Sequence, residues 1–179
     1  MSKVIFDISM SLDGFVTGPN PRPESPNGDG GERLIEWAFA GDDRDRRILE
    51  DGVAGLGAVI AGRRTYDLSL PFWGPGGPAG EARVPVFVLS HGTPETVPEG
   101  GVYTFVDGVE RALEQARAAA GEKYVCVMGG AETGRQFLHA GLVDELSIHL
   151  VPIELGGGTR LFDAAVQTEA ATHLRFALR

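Results

Sequence analysis

Apolar residues recur along this chain with two periods, and the two periods take turns. Residues 3–9 alternate, with Val4, Phe6 and Ile8 on one side, which predicts a strand. Residues 11–16 predict a turn and a short extension. Residues 17–31 are rich in Pro, Gly, Asn and Asp and predict a long surface loop, a kind of segment that often acts as a lid. Residues 32–40 predict a short helix, with Leu34 or Ile35, Trp37 and Phe39 toward its apolar side. Asp42 or Asp43 is placed to cap a second helix that runs to residue 53.

The pattern then repeats. Residues 58–61 predict a buried strand that ends in Gly62-Arg63-Arg64-Thr65 and passes into a helix. Residues 71–80 predict a Pro/Gly loop. Residues 84–89 predict a strand ending at Ser90-His91-Gly92, and 102–105 another. Residues 107–120 carry Val109, Ala112, Leu113 and Ala116 at helical spacing. The apolar run 124–128 stops at Gly129-Gly130, and a helix follows to residue 140. Residues 145–151 alternate, with Leu146, Ile148 and Leu150 on one face. Residues 173–179 alternate again, with Leu174, Phe176 and Leu178 inward.

Strands that alternate with helices up to residue 128 imply mostly parallel pairing. The last two strands have no helix between them, which favours an antiparallel pair at one end of the sheet. The expectation is an α/β fold in a single domain spanning residues 1–179.

Composition narrows the function. The chain has 179 residues, 42% hydrophobic and 23% charged, which suits one domain with a sizeable core. A formal net charge of -9 disfavours nonspecific binding to nucleic acid or to an acidic membrane. No apolar run approaches the ~20 residues of a membrane span, and the N-terminus lacks a signal-peptide layout. The single cysteine, Cys126, lies mid-strand and reads as a small core residue rather than a nucleophile. A cytoplasmic setting is the simple inference. No metal-binding spacing stands out.

The informative chemistry lies at strand ends. Carboxyl ends of parallel strands share one sheet edge, where ligands bind in α/β folds. That places Gly62-Arg63-Arg64-Thr65, Ser90-His91 and Gly129-Gly130-Ala131 side by side. Helix N-termini offer free N–H groups, paired glycines let a ligand approach the backbone, and arginine suits forked phosphate contacts. Arg63 and Arg64 open a helix, where cations oppose the dipole unless an anion is bound nearby. His91 reads equally as a ligand contact or as an exposed loop residue. The dinucleotide spacing Gly-x-Gly-x-x-Gly does not follow any strand. A dinucleotide would therefore lie on a different α/β plan.

These segments, in this order, resemble the dihydrofolate reductase-like superfamily, and more closely the bacterial proteins related to the reductase domain of riboflavin biosynthesis. The matching stretches are Ser11-Leu12-Asp13-Gly14-Phe15-Val16, Gly62-Arg63-Arg64-Thr65-Tyr66, residues 86–90, and Val127-Met128-Gly129-Gly130-Ala131 with Gln136-Phe137-Leu138. They continue through Leu142-Val143-Asp144-Glu145-Leu146, Leu155-Gly156-Gly157-Gly158, Leu161-Phe162 and Thr172-His173-Leu174-Arg175-Phe176. The resemblance covers essentially the whole chain.

The resemblance implies a three-layer fold: a central mixed, mostly parallel sheet with an antiparallel C-terminal strand, and helices on both faces. It implies a homodimer, and NADPH, with NADH as the alternative, donating hydride to a pterin-like or pyrimidine-like heterocycle. Arg63, Arg64 and Thr65, after Gly62, match the segment that binds cofactor phosphates. Ser90 and His91 match the strand end that handles the adenosine ribose and its 2′-phosphate, but supply no arginine there. Gly129, Gly130, Ala131, Glu132 and Thr133 match the glycine-rich turn under the pyrophosphate and nicotinamide. Leu12, Asp13 and Gly14 match the loop bordering the nicotinamide.

Two departures shape the functional expectation. No carboxylate aligns with the one that holds the pterin in dihydrofolate reductases, so folate is not the favoured substrate. No His-x-Glu with Pro-Cys-x-x-Cys is present, so a fused deaminase is not expected in this chain. The favoured reading is a riboflavin-pathway-type 5-amino-6-(5-phosphoribosylamino)uracil reductase. The alternatives are a dihydrofolate reductase and a non-catalytic nucleotide-binding or regulatory protein. Asp13 and Glu36 are the candidate proton donors, each with a plain reading beside it: Asp13 as a turn residue before Gly14, Glu36 as a surface charge. Trp37 and Phe39 could stack on a flat substrate, or simply pack in the core.

Overall fold

The computed structural model describes residues 2–162 and the backbone of 165–167 and 172–174. Strand β1 (Val4–Ser11) buries Val4, Phe6, Ile8 and Met10 and leaves Ile5, Asp7 and Ser9 half-buried on its other face. After a turn comes β2 (Phe15–Thr17). The segment expected as one helix over 32–40 is split. A 3-10 turn spans Gly31–Leu34, and α1 (Glu36–Ala40) follows Ile35. Leu34 is buried as expected, but Phe39 is 84% exposed, which takes it out of the core.

Asp42 caps α2 (Asp43–Gly55) through a capping box. Its Oδ1 accepts from Arg44 N at 2.7 Å, and Asp45 Oδ2 accepts from Asp42 N at 3.1 Å. Such a cap stabilises a helix by about 1 kcal/mol. The chain continues through β3 (Leu56–Gly62), α3 (Arg63–Trp73), β4 (Val86–Leu89), β5 (Tyr103–Val106), α4 (Val109–Ala120), β6 (Tyr124–Met128), α5 (Ala131–His139) and β7 (Glu145–Val151). Pro71 lies inside α3 rather than opening a loop. It sits in the last turn, where it forfeits one i→i−4 hydrogen bond shortly before the helix ends at Gly74. Short strands β8 (Thr159–Arg160), β9 (Ala165–Gln167) and β10 (Thr172–Leu174) close the chain.

Six strands form the central sheet in the order β5-β4-β3-β6-β1-β7. Every neighbouring pair in it is parallel. The antiparallel pairing expected between the last two strands is not formed among the described residues. Strand β7 runs parallel to β1, and β10 pairs antiparallel with β9 in a separate ribbon. Residues 175–179 of the expected final strand lie outside the described residues.

A buried parallel sheet needs apolar cover on both faces. On one face α4 and α5 pack Ala112, Leu113, Ala116 and Phe137 against Phe6, Ile8, Val125 and Val127. Helix α5 comes so close to β1 that a Cβ on Gly134 would fall within the Phe6 ring. On the other face Tyr66 of α3 joins Val59, Ala61, Val86, Val88 and Cys126. Burial pushes the Cys126 thiol up to about 12, which suits a core residue and not a nucleophile.

Candidate functional site

Strands β3 and β6 are neighbours, yet the chain leaves them in opposite directions, from β3 to β4 and from β6 to β7. Their helices cover opposite faces and a crevice opens at their carboxyl ends, the position where open α/β sheets take ligands. A cleft of about 2000 Å³ lies there. A single small ligand needs roughly 300–1,000 Å³, so this one has room for a dinucleotide and a second molecule.

The two strand–helix junctions in the cleft interlock. Gly129 and Gly130 have φ of 77° and 79°, a region costly for any residue with a Cβ. A Cβ on Gly129 would strike the Thr65 side chain, and one on Gly130 would lie 3.1 Å from Thr65 Oγ1. In return, a Cβ on Gly62 would strike Thr133 Oγ1. Each threonine thus sits over the other junction's glycine. Neither α3 nor α5 has a side-chain cap, so the first N–H groups of both remain open to an anion. Ala131 and Thr133 are buried at this turn. Glu132 is exposed, and its hydrogen bond from Arg135, at 3.2 Å, holds its carboxyl below the usual range.

The two arginines do different things. Arg63 Nε donates to both oxygens of Asp67, at 2.8 and 3.0 Å, and Nη1 donates to Ser90 Oγ at 3.1 Å and Gly92 O at 3.2 Å. It brings to the end of β4 the guanidinium that the Ser90-His91 segment lacks in sequence. Arg64 is exposed, lines the same cleft and makes no hydrogen bond or ion pair among the described residues. His91 also lines the cleft, with Nδ1 3.0 Å from Asp107 Oδ1.

The two candidate proton donors lie elsewhere. Leu12, Asp13, Gly14 and Glu36 are not among the residues lining the cleft. Asp13 is 1% exposed, and its carboxylate accepts from Ser11 Oγ at 2.6 Å, Gly156 N at 2.7 Å and Leu155 N at 3.2 Å. Burial pushes this carboxyl up, but the Ser11 hydroxyl and the two amides outweigh it and the net shift is downward. A carboxylate so engaged anchors a loop. Arg160 completes the anchor, donating to Asp13 O at 2.6 Å while its guanidinium lies 4.2 Å from the centre of the Phe15 ring. The result positions Thr17 and Thr159 in the cleft wall. Glu36 is exposed on α1.

A second polar group, not singled out by the sequence, does reach the cleft. Asp7 of β1 is the register partner of Met128, the residue before the Gly129 turn. Its two oxygens lie 3.2 and 3.3 Å from His149 Nε2. Trp37 packs over the imidazole with ring centroids 4.3 Å apart, and its Nε1 donates to Ser9 Oγ at 3.0 Å. Trp37 is therefore neither a buried core residue nor a free stacking platform. The available signal was the face of β1 that carries Asp7, Ser9 and Ser11. A strand flanked on both sides in a parallel sheet should be apolar on both faces, so polar residues at every second position mark a cleft. Exposed Phe39 and Phe72 stand on the cleft's apolar side. Among the described residues no cluster of His, Cys, Asp and Glu is arranged to hold a metal ion, and no helix is long and apolar enough to cross a membrane.

A model of the family described as the RibD C-terminal domain matches residues 2–178. YyaP of Bacillus subtilis, an uncharacterised protein, is 25% identical over 171 residues, which covers 89% of this chain and 80% of that protein. Among solved structures, a putative riboflavin biosynthesis protein from Shewanella sp. PV-4 is 25% identical with a TM-score of 0.61, covering 96% of this chain and 95% of that one. RibD from Acinetobacter baumannii is 20% identical with a TM-score of 0.60, and this chain spans 54% of its length. The Thermotoga maritima diaminohydroxyphosphoribosylaminopyrimidine deaminase/5-amino-6-(5-phosphoribosylamino)uracil reductase shares the fold at 14% identity and a TM-score of 0.60, over 50% of its length.

Proposed function

The chain belongs to the RibD C-terminal domain family, and from that premise we propose that it is an NADPH-dependent reductase of a small heterocyclic substrate, of the 5-amino-6-(5-phosphoribosylamino)uracil type. The observation that carries this reading is the interlocked pair of uncapped helix N-termini at Gly62 and Gly129-Gly130, with the unpaired Arg64 beside them. Two sets of free N–H groups and a free cation fit a pyrophosphate. Arg63 and Ser90, joined at 3.1 Å, fit an adenosine ribose carrying a 2′-phosphate. The flat, apolar surfaces of Phe39 and Phe72 fit a planar ring.

When bound, the reduced nicotinamide supplies a hydride. The protein's share is alignment and exclusion of water. The glycine turn lets the cofactor come close to β6, and the face of β1 beside it receives the acceptor.

The test is a fluorescence titration with NADPH and NADH, followed by NADPH oxidation across a panel of pterins, pyrimidines and riboflavin precursors. The proposal expects NADPH binding and oxidation with at least one pyrimidine acceptor. Binding without oxidation across the panel would favour a non-catalytic nucleotide-binding role. Absence of binding at high micromolar concentration would end both.

A further inference from the structure

A carboxylate on the cleft floor is paired with an imidazole behind it, and the proposed cofactor contacts use neither. Asp7 is on the floor of the cleft, on the strand next to the glycine turn. Its side chain is 39% exposed, and that of His149 behind it 23%. The imidazole is held from above by Trp37, which is itself fixed by the Ser9 hydroxyl. The same imidazole lines a second, smaller pocket of about 330 Å³ between α2 and β7, bordered by Asp45, Ile48 and Pro152. The pair therefore connects the floor of the main cleft to a separate opening.

We propose that Asp7 and His149 form a proton relay for the acceptor, with Asp7 the catalytic acid and His149 the positioning residue that resupplies it. The proposal rests on the reductase reading. With a reduced nicotinamide dinucleotide bound, hydride would pass to the carbon of a C=O or C=N group. The π electron pair moves onto the oxygen or nitrogen, which takes the proton held by the Asp7–His149 pair through the carboxyl group. The pair is left as carboxylate and neutral imidazole, and a water in the smaller pocket returns the proton. The acceptor has then gained one hydride and one proton, and the dinucleotide is oxidised. The geometry favours an acceptor whose reducible carbon carries an electronegative atom pointing at β1. An isolated alkene would leave the relay without a partner.

Other titratable groups near the pair are Asp45 from α2, across the smaller pocket, and Tyr124 and Cys126 from β6. Burial holds both of the latter near 12, with the Asp7 charge adding to it, so neither titrates in an ordinary assay range.

The experiment uses the full chain, NADPH and 5-amino-6-(5-phosphoribosylamino)uracil or whichever panel acceptor the wild type reduces. A positioned acid contributes about 10²–10⁴-fold, so Asp7→Asn should lower kcat by about 100-fold or more. The NADPH Kd, read by fluorescence, should stay within about threefold because the cofactor's contacts are elsewhere, and Asp7→Glu should recover part of the rate. His149→Gln should abolish the alkaline fall in kcat. In the wild type that fall should coincide with the titration of the His149 imidazole resonance followed by NMR.

Asp7→Asn with wild-type kcat would overturn the relay and leave the reductase reading standing. Equal loss of NADPH affinity and of kcat would overturn it too, by showing a structural role. If Asp7→Asn does not fold, the pH profile of His149→Gln decides alone, and an unchanged alkaline limb overturns the proposal. A wild type that fails to oxidise NADPH with any acceptor of the panel overturns the reductase reading, and the relay with it.

Discussion

Replacing Asp13 with Asn separates a loop anchor from a catalytic acid. The Asp13 carboxylate takes hydrogen bonds from Ser11 Oγ, Leu155 N and Gly156 N in a site 1% exposed. Asparagine keeps one acceptor oxygen and turns an NH₂ toward a donor. At least one hydrogen bond to a charged group is lost, about 1.5–3 kcal/mol, and a buried N–H left facing another donor costs about 1 kcal/mol more. The expected destabilisation is about 2.5–4 kcal/mol, or a fall in Tm of roughly 5–15 °C for a chain of this size. The pH dependence has a definite sign. The folded-state carboxyl is shifted below its ordinary value of 3.8, so its stabilisation is present above that value and disappears as pH falls through the lower folded-state value. The gap between wild type and variant should be full at neutral pH and should close only below about pH 4. Urea unfolding at pH 7 and at pH 3 measures both halves. A variant as stable as wild type at pH 7 that has lost NADPH oxidation would refute this reasoning and return Asp13 to the catalytic role its sequence position suggested.

Three further outcomes follow from the site and core. Arg64→Ala should weaken NADPH and NADH alike by about tenfold, since one charge-assisted contact to the pyrophosphate is lost; titration of the folded variant with each nucleotide checks it. Arg63→Ala should weaken NADPH by about tenfold but NADH by less than about threefold, because the Ser90 end meets only the 2′-phosphate of the former; equal losses would contradict the placement of the adenosine ribose. Tyr66→Phe should be neutral or stabilising by up to about 1 kcal/mol, because the Tyr66 hydroxyl is buried without a partner among the described residues; a clear loss in urea unfolding would show a partner.

Much of this was legible in the chain. Local periodicity located the six strands of the sheet, because a parallel strand is a short apolar run bounded by turn residues. The strand-end glycines were legible for the same reason: Gly62 and Gly129-Gly130 punctuate apolar runs. What escaped was whatever depends on two distant segments meeting. Asp7 and His149 are 142 residues apart and meet only because β7 joins β1 in parallel. The polar face of β1 hinted at a cleft, but nothing local named its partner. The same blindness left Asp13 between two readings. Asp-Gly reads as a turn or an acid from its neighbours alone, whereas the amides that occupy it come from residues 155 and 156. Phe39 shows the converse error. Its helical spacing promised burial, but α1 is only five residues long and opens onto the cleft, leaving the ring exposed.

The reductase reading requires a dinucleotide across the Gly129-Gly130 turn. Gly129→Ala adds a single methyl group at φ 77°, directed into Thr65. NADPH titration of the wild type and of this variant, with each shown to be folded by circular dichroism, decides whether it lies there. Saturable binding by the wild type is expected, with a loss of about tenfold or more in the variant, because a strained residue in the αL region costs about 1–3 kcal/mol and displaces the α5 N-terminus. Unchanged affinity in a folded Gly129→Ala protein would contradict it.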